Sequence, residues 1–154
     1  MSLSEERMGR LIRVRRAQES LARSVWADAR REAEAEQTRA ETLAVRVEEA
    51  RADLAGTLAS GGLDGGRIER DAVLIDRLDA AGRQQQRVAA SAWTREDLAR
   101  RPWNARRQEV RGLERLAERL AERSRKERLA AETAVMDENA VQRHQARQSA
   151  QESR

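Results

Sequence analysis

The sequence predicts an all-α fold, a long two-helix antiparallel coiled-coil hairpin whose second helix is longer and kinked near Pro102. Three observations predict it. The 154 residues are dominated by Ala, Arg, Glu, Gln and Leu, which lose little freedom in a helix. Apolar residues recur at alternating steps of three and four, the spacing of a coiled-coil seam. One dense cluster of helix breakers, Ala59-Ser-Gly-Gly-Leu-Asp-Gly-Gly66, holds four of the eight glycines and divides two helix-favouring stretches.

The first helix is expected over about 4–58, with Ser4 as a cap and Glu5 and Glu6 in its positive first turn. Its apolar stripe reads Leu11, Val14, Gln18, Leu21, Val25, Ala29 and Ala33, then Ala40, Leu43, Val47, Ala50 and Leu54. Between Val25 and Ala33 the steps become four and four, a stutter that relaxes a left-handed supercoil. The tip is expected over 59–66, because each glycine costs a helix about 1 kcal/mol relative to alanine. The second helix is expected over about 67–148, with a frayed C-terminal tail beyond it. Its stripe reads Ile68, Leu74, Ile75, Leu78, Ala81, Gln85, Val88 and Ala92, then Val110, Leu113, Leu116 and Leu120, then Leu129, Thr133, Met136 and Ala140. Pro102 removes a hydrogen bond and crowds the preceding turn, at about 3 kcal/mol, so a kink or short break is expected near Arg100–Trp103. The segment Thr94-Arg-Glu-Asp97 offers an alternative cap that would move the break upstream. Acid-to-base pairs four residues apart, among them Glu19–Arg23, Glu96–Arg100 and Glu122–Lys126, favour solvated helices.

The arms are unequal, about 80 Å and about 120 Å at 1.5 Å per residue. Folding back at the glycines sets the N-terminus beside Ala117–Leu120 and leaves the C-terminal end without a partner from its own chain. Isolated helices are marginal in water, so this overhang is expected to be frayed alone or bound inside something else. The chain is read as one helical-hairpin domain, 1–154, monomeric by itself.

Composition narrows the function. Charged residues make up 38% and aromatic residues 2%, with no Phe or Tyr, so there is material for a thin seam and not for a thick core. The net charge is +4, carried by 30 Arg and the single Lys126, with 27 acids interleaved. A basic helical nucleic-acid binder is therefore a competing reading, but neither a basic stripe nor aromatic platforms are evident. There is no cysteine, no apolar run of membrane-spanning length and no signal-like N-terminus, so a cytoplasmic protein is expected.

Chemistry has few carriers. His144 is the only histidine, no serine sits in a glycine elbow, and no G-K-[ST] follows the tip glycines. No catalytic residue, metal ligand or cofactor site is expected. Trp26 and Trp103 read as seam fillers, whereas Trp93 reads equally as filler or as an aromatic partner anchor. Adjacent Leu74 and Ile75 cannot both face a two-helix seam, so one points outward as a docking stripe or a dimer contact. Arg10, Arg13, Arg15 and Arg16 form one basic cluster, and Arg100, Arg101, Arg106, Arg107 and Arg111 another.

In order along the chain, Leu11-Ile-Arg-Val-Arg-Arg-Ala-Gln-Glu19, the glycine tip, Ile75-Asp-Arg-Leu78 with a Gln-rich helix and Trp93, Leu113-Glu-Arg-Leu-Ala-Glu-Arg119, Glu132 and Met136-Asp-Glu-Asn-Ala140 resemble the FliJ family of flagellar export proteins. The same features resemble the equivalent YscO-type stalk protein of virulence type III secretion. The resemblance implies a non-enzymatic coupling and escort protein of the export apparatus. Such a protein acts as the central stalk of the export ATPase hexamer, contacts the cytoplasmic domain of the export gate, and escorts export chaperones. It implies an ATPase-ring contact at Arg10, Arg13, Arg16, Glu132, Asp137 and Glu138. It implies an export-gate contact at Leu74, Leu78, Ala81 and Gln85, with Val47 and Leu54 opposite. Membrane association would come through partners only, at the inner-membrane export apparatus. A generic coiled-coil scaffold or dimerisation module is the other competing reading, and it predicts a parallel dimer.

Overall fold

The structure, a computed structural model of the chain, describes residues 3–61 and 64–152. Two helices account for almost all of them: α1, Leu3–Ala59, and α2, Gly65–Glu152, with no strand among the described residues. They pack against each other antiparallel, as the hairpin reading requires. Packing divides the chain into two compact units, one made of the start of α1 through Arg16 with α2 from Gln108 onward, the other of Ala17–Arg107.

The turn is built by capping. Ser60 N–H donates to the Gly56 carbonyl at 3.1 Å, and Gly61 follows with a φ of 73°. That left-handed conformation strains any residue with a Cβ, so glycine closes α1 there. Asp64 opens α2. Its carboxylate accepts from Gly66 N–H at 3.1 Å, and its carbonyl accepts from Arg67 and Ile68 at 3.0 and 3.1 Å. The turn is thus shorter than the expected 59–66, because an N-cap aspartate outweighs two glycines in the first helical turn. Gly62 and Leu63 of that expected tip, and the capping side chain of Ser4, lie outside what is described.

In the larger unit one line of buried and half-buried residues on α1, Ala22, Trp26, Ala29, Ala33, Glu36, Ala40, Leu43, Val47, Ala50 and Leu54, runs in strict three-four alternation, with Gln18, Glu19, Ala27 and Thr57 also half-buried. The matching line on α2 is Ile68, Asp71, Ile75, Leu78, Gly82, Gln85, Ala89, Ala92, Glu96, Ala99, Trp103 and Arg106, with Asp79, Val88 and Asp97 also half-buried. This corrects the expected stripe. Leu21 and Val25 are 71% and 62% exposed, and no stutter interrupts the seam. The apolar reading followed the larger aliphatics, whereas the helices approach over alanines and seat a tryptophan pair between them. Ala33, Ala89 and Ala92 are nearly inaccessible, since only a small side chain fits where the backbones close in.

Pro102 does not break α2, which is helical from Gly65 to Glu152. The N–H that proline lacks would have bonded the Leu98 carbonyl. Both residues are on an exposed flank, where water can satisfy that carbonyl, so the helix continues. Thr94 caps nothing: its hydroxyl donates back to the Ala90 carbonyl at 3.0 Å in mid-helix.

In the smaller unit Ile12 and Val110 are the buried pair, with Leu113, Ala117 and Leu120 half-buried. Leu11, Val14 and Leu116, all expected in the seam, are exposed. Arg16 reaches Glu114 through two nitrogens, at 3.0 and 2.5 Å, and Arg15 approaches Glu109 at 3.8 Å. Beyond Ser124 every described side chain through Gln148 is exposed, including Leu129, Val135, Met136 and Val141.

Candidate functional site

The polar centre of the larger unit is a reciprocal clasp. Trp26 Nε1 donates to Glu96 Oε1 at 2.6 Å, and Trp103 Nε1 donates to Glu19 Oε1 at 3.0 Å. The two indoles stack with centroids 4.4 Å apart and planes 13° from parallel. Arg30 lies over Trp26 at 5.8 Å and Arg107 over Trp103 at 5.5 Å. Glu96, only 4% exposed, is the buried charged residue of the seam, and its charge is tolerable because an indole N–H meets it. Glu19 and Glu96 therefore do not make the expected pairs with Arg23 and Arg100, whereas Glu122–Lys126 does form, at 2.9 Å.

The clasp has a sequence origin that periodicity alone overlooks. Glu19-Ser-Leu-Ala-Arg-Ser-Val-Trp-Ala-Asp-Ala-Arg30 and Glu96-Asp-Leu-Ala-Arg-Arg-Pro-Trp-Asn-Ala-Arg-Arg107 share Glu, Leu, Ala, Arg, Trp and Arg at the same offsets, eleven heptads apart. An antiparallel pairing of identical segments is locally two-fold, so each glutamate meets the other segment's tryptophan. Comparing the chain with itself would have exposed the repeat. Trp26 and Trp103 are seam residues, as expected, and Trp93 stays 36% exposed on a flank.

Around the clasp lies a groove of about 420 Å³ lined by Gln18, Leu21, Ala22, Val25, Ala99, Pro102 and Arg106. Nearer the tip, Leu74 and Leu78 line a smaller one of about 260 Å³ with Arg46, Glu49, Ala50, Asp53 and Asp71. Of the expected gate-contact residues, Leu74 and Ala81 are exposed, and Leu54, Leu78 and Gln85 are half-buried. Val47 is buried in the seam and offers no outer surface. Gln85 is engaged too, donating to the Glu36 carboxylate and, at 3.3 Å, to the Glu36 carbonyl. Ile75 faces the seam and Leu74 points out, which settles the adjacent pair.

The expected ATPase-contact residues all fall in the smaller unit. Arg10, Arg13 and Arg16 are exposed on α1, and Glu132, Asp137 and Glu138 are exposed on the unpartnered end of α2. Continuing the seam phase along that end brings Ser124, Glu127, Ala131, Ala134 and Glu138 to the inner face. Leu129 and Met136, 63% and 69% exposed, occupy the opposite line. The stripe Leu129, Thr133, Met136, Ala140 is therefore no continuation of the hairpin seam, as the helix phase at Val110–Leu120 dictates.

Electrostatically the surface is a mosaic of short-range pairs. Asp97 is held below the ordinary carboxylate range by hydrogen bonds from Arg100 and Arg101. The Arg51 guanidinium is pushed up by Asp79, with Glu48 adding to it. Among the described residues no cluster of His, Cys, Asp and Glu could hold a metal ion, and no helix is long and apolar enough to cross a membrane.

These features define a class: a helical hairpin with a thin seam, open grooves and an unpaired helical end. A family model described as Flagellar FliJ protein matches residues 4–149. The chain therefore belongs to the FliJ family, and its role lies in the flagellar export apparatus. No curated protein and no solved structure matches the chain.

Proposed function

We propose that this chain is a non-enzymatic coupling protein of the export apparatus, a stalk whose terminal half enters the export ATPase ring and whose tip-proximal flank meets the export gate. The observation that carries the reading is the end of α2. From Arg125 through Gln148 it is helical yet wholly exposed, with Leu129 and Met136 on a line its own chain never covers. A helix with an apolar line and no partner is marginal in water, so a host surface is the natural source of its stability. Glu132, Asp137 and Glu138 on the same unpartnered end, and Arg10, Arg13 and Arg16 on the start of α1, supply polar contacts to the ring, and charge pairs of this kind set register and approach rate. Leu74 and Leu78, which line the tip-proximal groove, with exposed Ala81 and half-buried Leu54, are the gate-facing candidates. Val47 acts there only by holding the seam. Escort of export chaperones and a place at the inner membrane through partners follow from the same reading.

The scaffold reading predicts a parallel dimer, but the seam that would drive one is filled by the chain's own second helix. Ring insertion is tested by capture of the purified export ATPase with full-length protein and with a 1–118 truncation. Strong loss of capture by the truncation is expected, and undiminished binding overturns insertion. Leu74→Asp should weaken binding of the gate's cytoplasmic domain while leaving ATPase capture intact.

A further inference from the structure

One flank of the larger unit carries an unmatched cationic face. The ion pair Arg51–Asp79, 2.8 Å, fixes how the two helices face each other along this flank. Two heptads from it, Gln37 comes level with Trp93. Three heptads away Arg30 comes level with Arg100, and four heptads away Arg23 with Arg107. Arginine thus opposes acid at the tip-proximal level, and arginine opposes arginine at two successive levels beside the clasp. Like charges set opposite each other destabilise a helix pair, so the seam does not account for them. The internal repeat duplicates these four arginines along with the glutamates and tryptophans, although only the latter are needed to pack the seam.

The nearby acids leave part of this charge uncovered. Glu34 holds Arg30 at 2.8 Å, and Asp97 holds Arg100 at 2.5 Å. Glu19 and Glu96 accept from the indole N–H groups, and Glu96 also acts through space on Arg100, beside that arginine's bond to Asp97. Arg23 and Arg107 make no ion pair among the described residues. Arg107 is steadied instead by the face of Trp103, which keeps its in-plane N–H donors available.

We propose that this flank, with Arg23, Arg107, Arg30 and Arg100 beside exposed Trp93, is a docking face for an acidic helix of a partner protein. It is separate from both surfaces invoked above. Spacing selects the occupant. The two arginine levels lie about 10 Å apart along the axis at 1.5 Å per residue, too far for one phosphate, and they match acids one heptad apart on a second helix. The cationic row stops after two levels at Gln37 and Trp93, which suits a short helix with an apolar residue next to its acids and not a nucleic-acid backbone.

The test uses the full-length protein and a fluorescein-labelled oligoglutamate peptide, read by anisotropy across a salt series. Salt-sensitive binding is expected. Arg23→Gln with Arg107→Gln should weaken it about tenfold or more, as truncating paired charge contacts does. The variant Arg31→Gln with Arg39→Gln, equal in charge and away from this flank, should bind like the parent. Far-UV circular dichroism and a melting curve establish that both variants fold. No binding by the parent, equal weakening by both variants, or tighter binding of duplex DNA through Arg23 and Arg107 would each overturn the proposal.

Discussion

Removing the indole of Trp26 tests the clasp most directly. A fully buried tryptophan cut to alanine costs about 3–5 kcal/mol, and Trp26 and Trp103 are each half-buried, so each single variant should lose about 2 kcal/mol. Losing Trp26 also strips Glu96 of its donor, at about 1 kcal/mol, the low end for a buried group because water can refill the vacated site. The stacked pair itself is worth about 0.5–1.5 kcal/mol beyond its area, so the two substitutions should not add. A double-mutant cycle over Trp26→Ala and Trp103→Ala should give a coupling of about 1 kcal/mol, a value contacting residues reach and distant ones do not. Urea unfolding followed by far-UV ellipticity measures it, and each single variant should melt several degrees lower, given about 2–4 °C per kcal/mol for a chain of this size. A coupling below about 0.3 kcal/mol would refute the stacked geometry, because that is the scatter of independent sites.

Four further outcomes follow from particular contacts. Leu21→Ala and Val25→Ala should each change stability by no more than about 0.5 kcal/mol, as exposed positions do, whereas Ala33→Leu should cost about 1–3 kcal/mol by overpacking; denaturant midpoints decide. Gly82→Ala should stabilise by about 1 kcal/mol, since an added Cβ meets nothing within 4 Å and helix propensity improves. Truncation after Ser124 should leave the unfolding midpoint unchanged while lowering helical ellipticity, because the described side chains it removes, from Arg125 through Gln148, are all exposed. Asp97 has a carboxyl pKa lowered from 3.8 by the hydrogen bonds of Arg100 and Arg101, so its contribution is present above the unfolded value and lost as pH falls through the folded one. Asp97→Asn should accordingly flatten the acid limb of the melting-temperature profile below about pH 4, and an unchanged limb would remove that pairing from the account.

Sequence determined the elements. Helix formers on both sides of four clustered glycines specify two helices and one turn, and the chain lacks the large side chains for any thicker core. The three-four periodicity near Ala40–Leu54 and at Ile75–Leu78 gave the correct face, because there the larger aliphatics and the seam coincide. Around Leu11–Val25 they do not. Which line of a helix turns inward depends on what the partner presents, and a stacked Trp26–Trp103 pair flanked by two glutamates won over a row of leucines and valines. Hydropathy ranks Glu96 as solvent-facing, and only pairing with an indole from the other arm makes it a seam residue. The arginines and acids proposed for the ring contact were legible as charges in a polar stretch, but their gathering in the smaller unit depends on the fold-back.

The four opposed arginines show the same division. Their positions are written in the repeat, but that Arg23 comes level with Arg107, and Arg30 with Arg100, is fixed by the register between the helices. Local spacing sets each residue's angle on its own helix. Register depends on contacts between residues far apart in the chain, which single-helix periodicity does not encode.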